Sequence, residues 1–262
     1  SIALTAGLNG SVNVNGAGIS STGGTVTLTA GTNDGNVAVS AGAPVSGSGA
    51  VSLITGAAGS ITVGAAVSST GSTLTLTGGS GAGESVTINT GVTATGNTGV
   101  AVTTPALNLN GTAALTATSN NVAIQSNGAA NAITVSMGNG SAINAAAAGA
   151  DVTFNNTTAG AITINNAGLG TINANDTVVL NGNTGAVSVN AAQVNGTVTG
   201  SGAGFSVITA AGSLTANTVT ATGAVTLTAS GGALTASNVS TNTGNTALTA
   251  GNGSLLATNI SN

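Results

Sequence analysis

Asp34, Glu84, Asp151 and Asp176 are the only charged side chains in this 262-residue chain, which has no Lys, no Arg, no His and no Cys. The chemistry they permit is narrow. Serine and threonine hydroxyls are plentiful, but a hydroxyl becomes a nucleophile through an adjacent base such as His or Lys. Neither residue exists here. Two carboxylates alone suffice for glycoside hydrolysis. Asp151 and Asp176, one turn of the repeat described below apart, are the pair to weigh for it. The structural alternative is that both stand in turns before a strand, in Asp-Val-Thr-Phe and Asp-Thr-Val-Val. There a carboxylate oxygen accepts nearby backbone N–H bonds. Calcium asks for about six to eight oxygens with several carboxylates. Asp34 in Gly-Thr-Asn-Asp-Gly and Glu84 in Gly-Ala-Gly-Glu-Ser are lone acids in turns. The Ser-Gly-Ala-Gly at 80–83 lacks the lysine and the strand–loop–helix setting of a phosphate loop. The expectation is therefore no catalytic residue, no cofactor-binding residue and no metal ligand. Asn-x-Ser/Thr triplets at Asn110, Asn156, Asn195 and Asn238 are what chance provides in so Asn- and Thr-rich a chain.

Composition narrows the partners as well. Charged residues make up 2% of the chain, where an ordinary domain has roughly a quarter. With 41% apolar residues a core can still be built. A nucleic acid needs a basic patch, and anionic lipid head groups need the same; with no basic side chain, neither is expected as a partner. No apolar run reaches the ~20 residues of a membrane span. The chain opens at Ser1 with neither a basic nor an apolar leader pattern. That predicts no signal peptide and suits a mature product or a piece of a longer protein. The 43 glycines lack the spacing of collagen, and prolines number only two. No side-chain type present titrates between about pH 5 and 10. Melting temperatures measured across that window should therefore agree closely; a shift of many degrees would mean that a chain terminus or a bound partner contributes.

The elements that would position these residues are announced by repetition. FSVITAAGSLTANTVTATG, AVTLTASGGALTASNVSTNTG and NTALTAGNGSLLATNISN, from Phe205 onward, are one unit given three times. Each unit carries three apolar marks, and the marks recur at a near-constant step of about 20 residues, as expected of a repeat architecture. Extended over the whole chain, a first column reads Leu4, Leu28, Leu53, Leu76, Val102, Ile124, Phe154, Leu180, Ile208, Leu227 and Leu248. A second reads Val14, Val39, Val63, Ile88, Leu109, Val135, Ile164, Val189, Leu214, Leu234 and Leu255. A third reads Ile19, Val45, Val67, Val92, Leu115, Ile143, Ile172, Val194, Val219, Val239 and Ile260.

From Leu4 to Leu248 the first column advances with a longer mean step than the last three units have. The marks sit in short alternating runs such as TVTLT, NVAVS and AITIN. Alternation at period two is the pattern of a half-buried strand, and Gly, Asn and Ser between runs supply turns. Three short strands per row predict a right-handed parallel β-helix, about eleven coils in one continuous domain spanning residues 1–262. Stacked at ~4.8 Å, these would make a rod of roughly 50 Å.

The runs GTVTLTAG, GAVSLITGAAGSITV and GAVTLTASGGALTASNVSTNTG resemble the repeats of filamentous-haemagglutinin-like adhesins, exported by two-partner secretion, and those of autotransporter passengers. The resemblance covers nearly the whole chain. It implies a right-handed β-helix, an extracellular or cell-surface location, a structural or adhesive role and cell-surface glycans as possible partners. The Asn-Pro-containing signatures of the secretion domain are not present, which fits shaft rather than export signal. The absence of Lys and Arg departs from most members. Two alternatives stand beside a non-enzymatic shaft. One is an ice- or glycan-binding solenoid using outward Thr and Asn ladders. The other is a polysaccharide-degrading enzyme, disfavoured by the missing Lys, Arg and His. In the first column the outward neighbours change from Thr27 to Ser52, Ala101, Ala123 and Val179, which breaks the ladder the first alternative needs. SIALTAG opens and SLLATNISN closes in mid-pattern, and if residue 1 followed residue 262 the columns would continue with steps of 18, 21 and 21. This predicts self-association, as a head-to-tail polymer or within a longer solenoid.

Overall fold

Each alternating run becomes a strand because Val and Thr favour the pleated backbone and every second side chain has an aliphatic interior to enter. The computed structural model describes residues 1–127, 132–156, 160–166 and 170–262, and these described residues form 29 strands. No helix occurs among the described residues. Each strand pairs in parallel with its counterpart one coil further on, as in Ile2–Thr5 on Val26–Thr29 and Val26–Thr29 on Val51–Ile54. The result is a β-solenoid of about eleven turns. Its three faces enclose one continuous aliphatic core. Leu28, Val63, Val67, Leu227, Leu234 and Val239, six marks expected inside, are all 0% exposed.

The first column runs as expected as far as Leu180 and then changes partners. The first-face file is Leu4–Leu28–Leu53–Leu76–Val102–Ile124–Phe154–Leu180. It continues through Gly200, Val219, Val239 and Ile260. The place expected for Ile208, Leu227 and Leu248 in this file is one face out. Leu227 and Leu248 belong to the second face, in file with Val189 and Val207. Ile208 is not an inward residue: Val207 is buried and Ile208 lies half-buried on the outside, paired with Asn190 and Thr228. Leu214, Leu234 and Leu255 stand on the third face, and Val219, Val239 and Ile260 on the first.

Two further registers differ. Val135 stacks on Leu107 rather than Leu109, whose partner is Met137. Ala94 rather than Val92 continues the third-face file between Val67 and Leu115.

The change of partners has a packing cause. The first-face position after Leu180 is filled by Gly200, so the column loses its apolar mark. A Cβ there would stand 2.0 Å from the Leu180 carbonyl oxygen and 3.0 Å from Cε2 of Phe205. The buried Phe205 ring crosses from the second face and takes the space of the missing side chain. Phe154, the other aromatic, stacks in the first file between Ile124 and Leu180.

From Thr171 onward the third and first faces share strands: Thr171–Asn181, Gln193–Gly202, Leu214–Ala221, Leu234–Thr241 and Leu255–Ser261. In the last three of these the bend between the faces is made by a single residue at positive φ: Thr218 at 57°, Asn238 at 52° and Asn259 at 52°. Asn tolerates this left-handed region, whereas a β-branched residue is strained there. The asparagines also link coils, since Asn259 Nδ2 donates to Asn238 Oδ1 at 3.0 Å and Asn238 Nδ2 to Asn217 Oδ1 at 2.9 Å. Thr218 is exposed, and its hydroxyl donates to Oδ1 of the adjacent Asn217 at 3.3 Å, a bond that an exposed side chain can exchange for water. Thr218→Asn should therefore stabilise the protein by about 1 kcal/mol through relief of backbone strain. Urea unfolding should show a higher midpoint; an unchanged or lower one would mean that the Thr218 backbone is not strained.

Candidate functional site

The corners show what the short polar side chains do. In a parallel stack, the residue before a strand has an N–H just outside the regular ladder, and that N–H needs an acceptor. On the approach to the second face the coil below supplies it. The Asn36 N–H donates to Ser11 Oγ at 3.1 Å, the Ser60 N–H to Asn36 Oδ1 at 2.7 Å and the Ser85 N–H to Ser60 Oγ at 3.0 Å. Ser, Asn and Asp suit this task because their short side chains reach neighbouring backbone groups.

The four acids fall into this scheme. Asp151 occupies the corresponding corner before the first face. Its N–H donates to Asn121 Oδ1 at 2.9 Å, and its own Oδ1 accepts the Thr177 N–H at 3.1 Å. Asp176 lies one coil on, exposed, with its N–H donating to the Ala150 carbonyl at 3.1 Å. The fold thus brings the two aspartates into neighbouring coils, but the hydrogen bond it gives Asp151 is the structural one. Glu84 accepts from Ser60 Oγ at 3.1 Å through Oε2. Asp34 is exposed in its turn. All four acids lie at corners, so the strand faces carry no charge among the described residues. No group of three or more His, Cys, Asp or Glu side chains that could hold a metal ion occurs among them.

Glu84 also edges a groove of about 380 Å³ lined by Ala82, Gly83, Pro105, Asn108 and Thr134. The groove offers that one carboxylate and neutral hydroxyl, amide and aliphatic surface. It contains no second carboxylate for paired acid–base work. Asn156, one of the triplet asparagines, is 1% exposed and donates from Nδ2 to the Gly160 carbonyl, so its amide is closed to glycan addition in the folded chain.

One ordered array was missed from the sequence. On the third face the outward residue beside each mark forms the file Ser20–Ser46–Ser68–Thr95–Thr116–Asn144–Asn173–Asn195. All eight positions are polar, in contrast to the first face, where Ala3, Ala101, Ala123 and Val179 interrupt. The side chains also bond to one another. Ser46 Oγ donates to Ser20 Oγ at 3.1 Å, Asn144 Nδ2 to Thr116 Oγ1 at 3.2 Å, Asn173 Nδ2 to Asn144 Oδ1 at 2.7 Å and Asn195 Nδ2 to Asn173 Oδ1 at 2.6 Å. The available signal was the small polar residue directly after each third-column mark, as in Ile19-Ser20, Val45-Ser46 and Val67-Ser68.

The fold and these ladders define a β-solenoid repeat protein. No protein-family model, no curated protein and no solved structure matches the chain. The solenoid implied by the resemblance to filamentous-haemagglutinin-like adhesins is present, with no family match beside it. No helix among the described residues is long and apolar enough to cross a membrane.

Proposed function

We propose that this chain is a stretch of a structural, non-enzymatic β-solenoid shaft belonging to an extracellular bacterial surface fibre or adhesin. The observation that carries this reading is where the polar groups are used. Corner serines, asparagines and Asp151 accept backbone N–H groups from the next coil, and third-face hydroxyls and amides bond along the rod. Polar chemistry is distributed as coil-to-coil cement and is not gathered at one place. A surface without Lys or Arg also offers trypsin-like proteases no cleavage site, and uncharged faces leave the packing insensitive to salt. Both suit a material outside the cell. Immunogold labelling with antibodies to the folded chain should decorate filaments on the surface of the producing cell. Label confined to the cytosol would sink the reading.

The unbroken third-face file gives one specific observation for a second reading, in which a neutral polyhydroxylated lattice, ice or a glycan, lies along that face. Its asparagines spend amide protons on one another, which favours the structural role. Thermal hysteresis, or retention on a neutral polysaccharide lost in Asn173→Leu, would reverse that preference.

A further inference from the structure

Asparagine followed by glycine is a chemically labile pair. The glycine nitrogen can attack the asparagine side-chain carbonyl carbon, because glycine has no side chain to block the approach. Whether it does so depends on how each pair is held. Four Asn-Gly pairs lie in internal coils and wholly within the described residues: Asn110-Gly111, Asn139-Gly140, Asn181-Gly182 and Asn195-Gly196. The fold holds them very differently. We propose that Asn139-Gly140 is a site of spontaneous modification, where the side-chain amide is lost to water and the rod gains a carboxylate.

At Asn139 nothing competes for the reacting groups. The residue lies in the turn Gly138-Asn139-Gly140-Ser141, between the second-face strand Ile133–Met137 and the third-face strand Ala142–Ala145. The Ser141 N–H closes this turn by donating to the Gly138 carbonyl at 3.1 Å. Gly140 has φ 77°, as the third residue of a type II turn does. Asn139 and Gly140 are both exposed. Among the described residues, neither the Asn139 amide nor the Gly140 N–H has a hydrogen-bond partner. The other pairs are engaged. The Gly182 N–H donates to the Ser201 carbonyl at 2.8 Å, and Gly182 is buried. Asn181 Oδ1 accepts from Ser201 Oγ at 3.2 Å and from the Asn183 N–H at 3.3 Å. Asn195 stands within the strand Gln193–Gly202, and its Nδ2 donates to Asn173 Oδ1 at 2.6 Å. Asn110 is the intermediate case. Its side chain is exposed, but Gly138 of the next coil stacks over the reacting nitrogen, since a Cβ on Gly138 would lie 2.3 Å from the Gly111 nitrogen.

The step balances with water as the only co-reactant. The Gly140 nitrogen bonds to Asn139 Cγ, and its proton passes through water to the departing Nδ2. The Cγ–Nδ2 bond breaks and ammonia leaves. One water then opens the resulting cyclic imide at either of its carbonyls. Opening at one restores the main chain with aspartate at 139. Opening at the other leaves isoaspartate, in which the main chain runs through Cβ and Cγ. Nothing is oxidised or reduced, and either product carries a negative charge where the amide carried none. The turn faces solvent at a corner, as the four acids do, so the new carboxylate keeps its water and the aliphatic core is untouched. The stack therefore survives the change, and the rod gains charge as it ages. This holds whether or not the rod serves as a shaft.

The experiment incubates the full chain at mildly alkaline pH in two states, folded and unfolded in guanidinium chloride, with circular dichroism verifying each. Samples taken over time are digested with elastase, because the chain offers trypsin no site. Mass spectrometry of the peptides follows the replacement of NH2 by OH at each asparagine, and an isoaspartyl-specific methyltransferase marks the isoaspartate product. In the folded chain Asn139 should convert at least about tenfold faster than Asn181 and Asn195, which must first break the bonds that hold them. Asn110 should fall between, and in the unfolded chain the gap should close. The proposal is overturned if Asn139 reacts no faster than Asn181 and Asn195 in the folded chain. It is equally overturned if the same gap persists in guanidinium chloride, which would place the difference in the local sequence rather than in the fold. Loss of the strand signal as Asn139 converts would also overturn it, since the stack would then not tolerate the change.

Discussion

Leu227→Asp is expected to cost more than about 4 kcal/mol, and Thr228→Asp less than about 0.5 kcal/mol. The two residues are neighbours on one strand, Val225–Ala229. Leu227 is 0% exposed and stacks between Val207 and Leu248, so a carboxylate there meets only aliphatic groups in its file. Thr228 stands half-buried on the outer surface between Ile208 and Thr249, where a carboxylate keeps its water. The damage should also be local. Each coil of a solenoid touches only its neighbours, so stability is a chain of nearest-neighbour contacts. Amide exchange in Leu227→Asp should rise from about Phe205 to the C-terminus, while strands such as Val51–Ile54 keep their protection. Equal loss of protection in both variants would contradict the facing of this strand.

Gly56→Ala is the second large effect. The turns that join the first face to the second stack backbone upon backbone. The Ala57 N–H donates to the Thr32 carbonyl at 3.1 Å, and the Gly79 N–H to the Gly59 carbonyl at 2.7 Å. A Cβ on Gly56 would lie 2.2 Å from the Thr32 carbonyl carbon and 2.3 Å from the Gly31 carbonyl oxygen. Neither backbone atom can swing aside as a flexible side chain would, so two coils must separate locally. The expected cost is about 1–3 kcal/mol. Gly23→Ala is the control, since a Cβ there meets nothing within 4 Å. Denaturant midpoints should fall for the first variant and hold for the second; a fall of similar size in both would mean that the stacked turns are not what resists the added carbon.

The inward marks were legible in the sequence because alternation leaves little choice in runs such as Thr25-Val26-Thr27-Leu28-Thr29. Which face each mark occupies was harder to read. In the last coils the steps are nearly equal on all three faces, so the spacing is unchanged when every label moves round by one face. Only an interruption could fix the phase, and the informative one, Gly200, carries no side chain to notice. Val207-Ile208 offered two adjacent aliphatic residues where strict alternation allows one inside; Phe205, two positions before Val207, decides in favour of Val207. The corner acceptors were invisible for another reason. Ser and Asn are everywhere in this chain, and Ser11, Asn36, Ser60 and Ser85 become a set only when pairing shows that they share one corner. Asp151 was readable as a turn residue, but its bond to Thr177 in the next coil depends on the coil register.

The tolerance of the files has a consequence for how such a rod can change over generations. Leu4, Phe154, Gly200 and Ile260 all serve in the first-face file. The chain between successive members also varies in length, being much longer from Ile124 to Phe154 than from Gly200 to Val219. A duplication or loss of one whole coil therefore still sets aliphatic side chains against aliphatic side chains along each file. The rod lengthens or shortens by one strand spacing, about 4.8 Å, with no compensating change elsewhere. In a globular domain a deletion of that size removes part of a shared core. Here length is a trait that recombination between repeats can adjust in single increments, as if cutting a ruler at its marks.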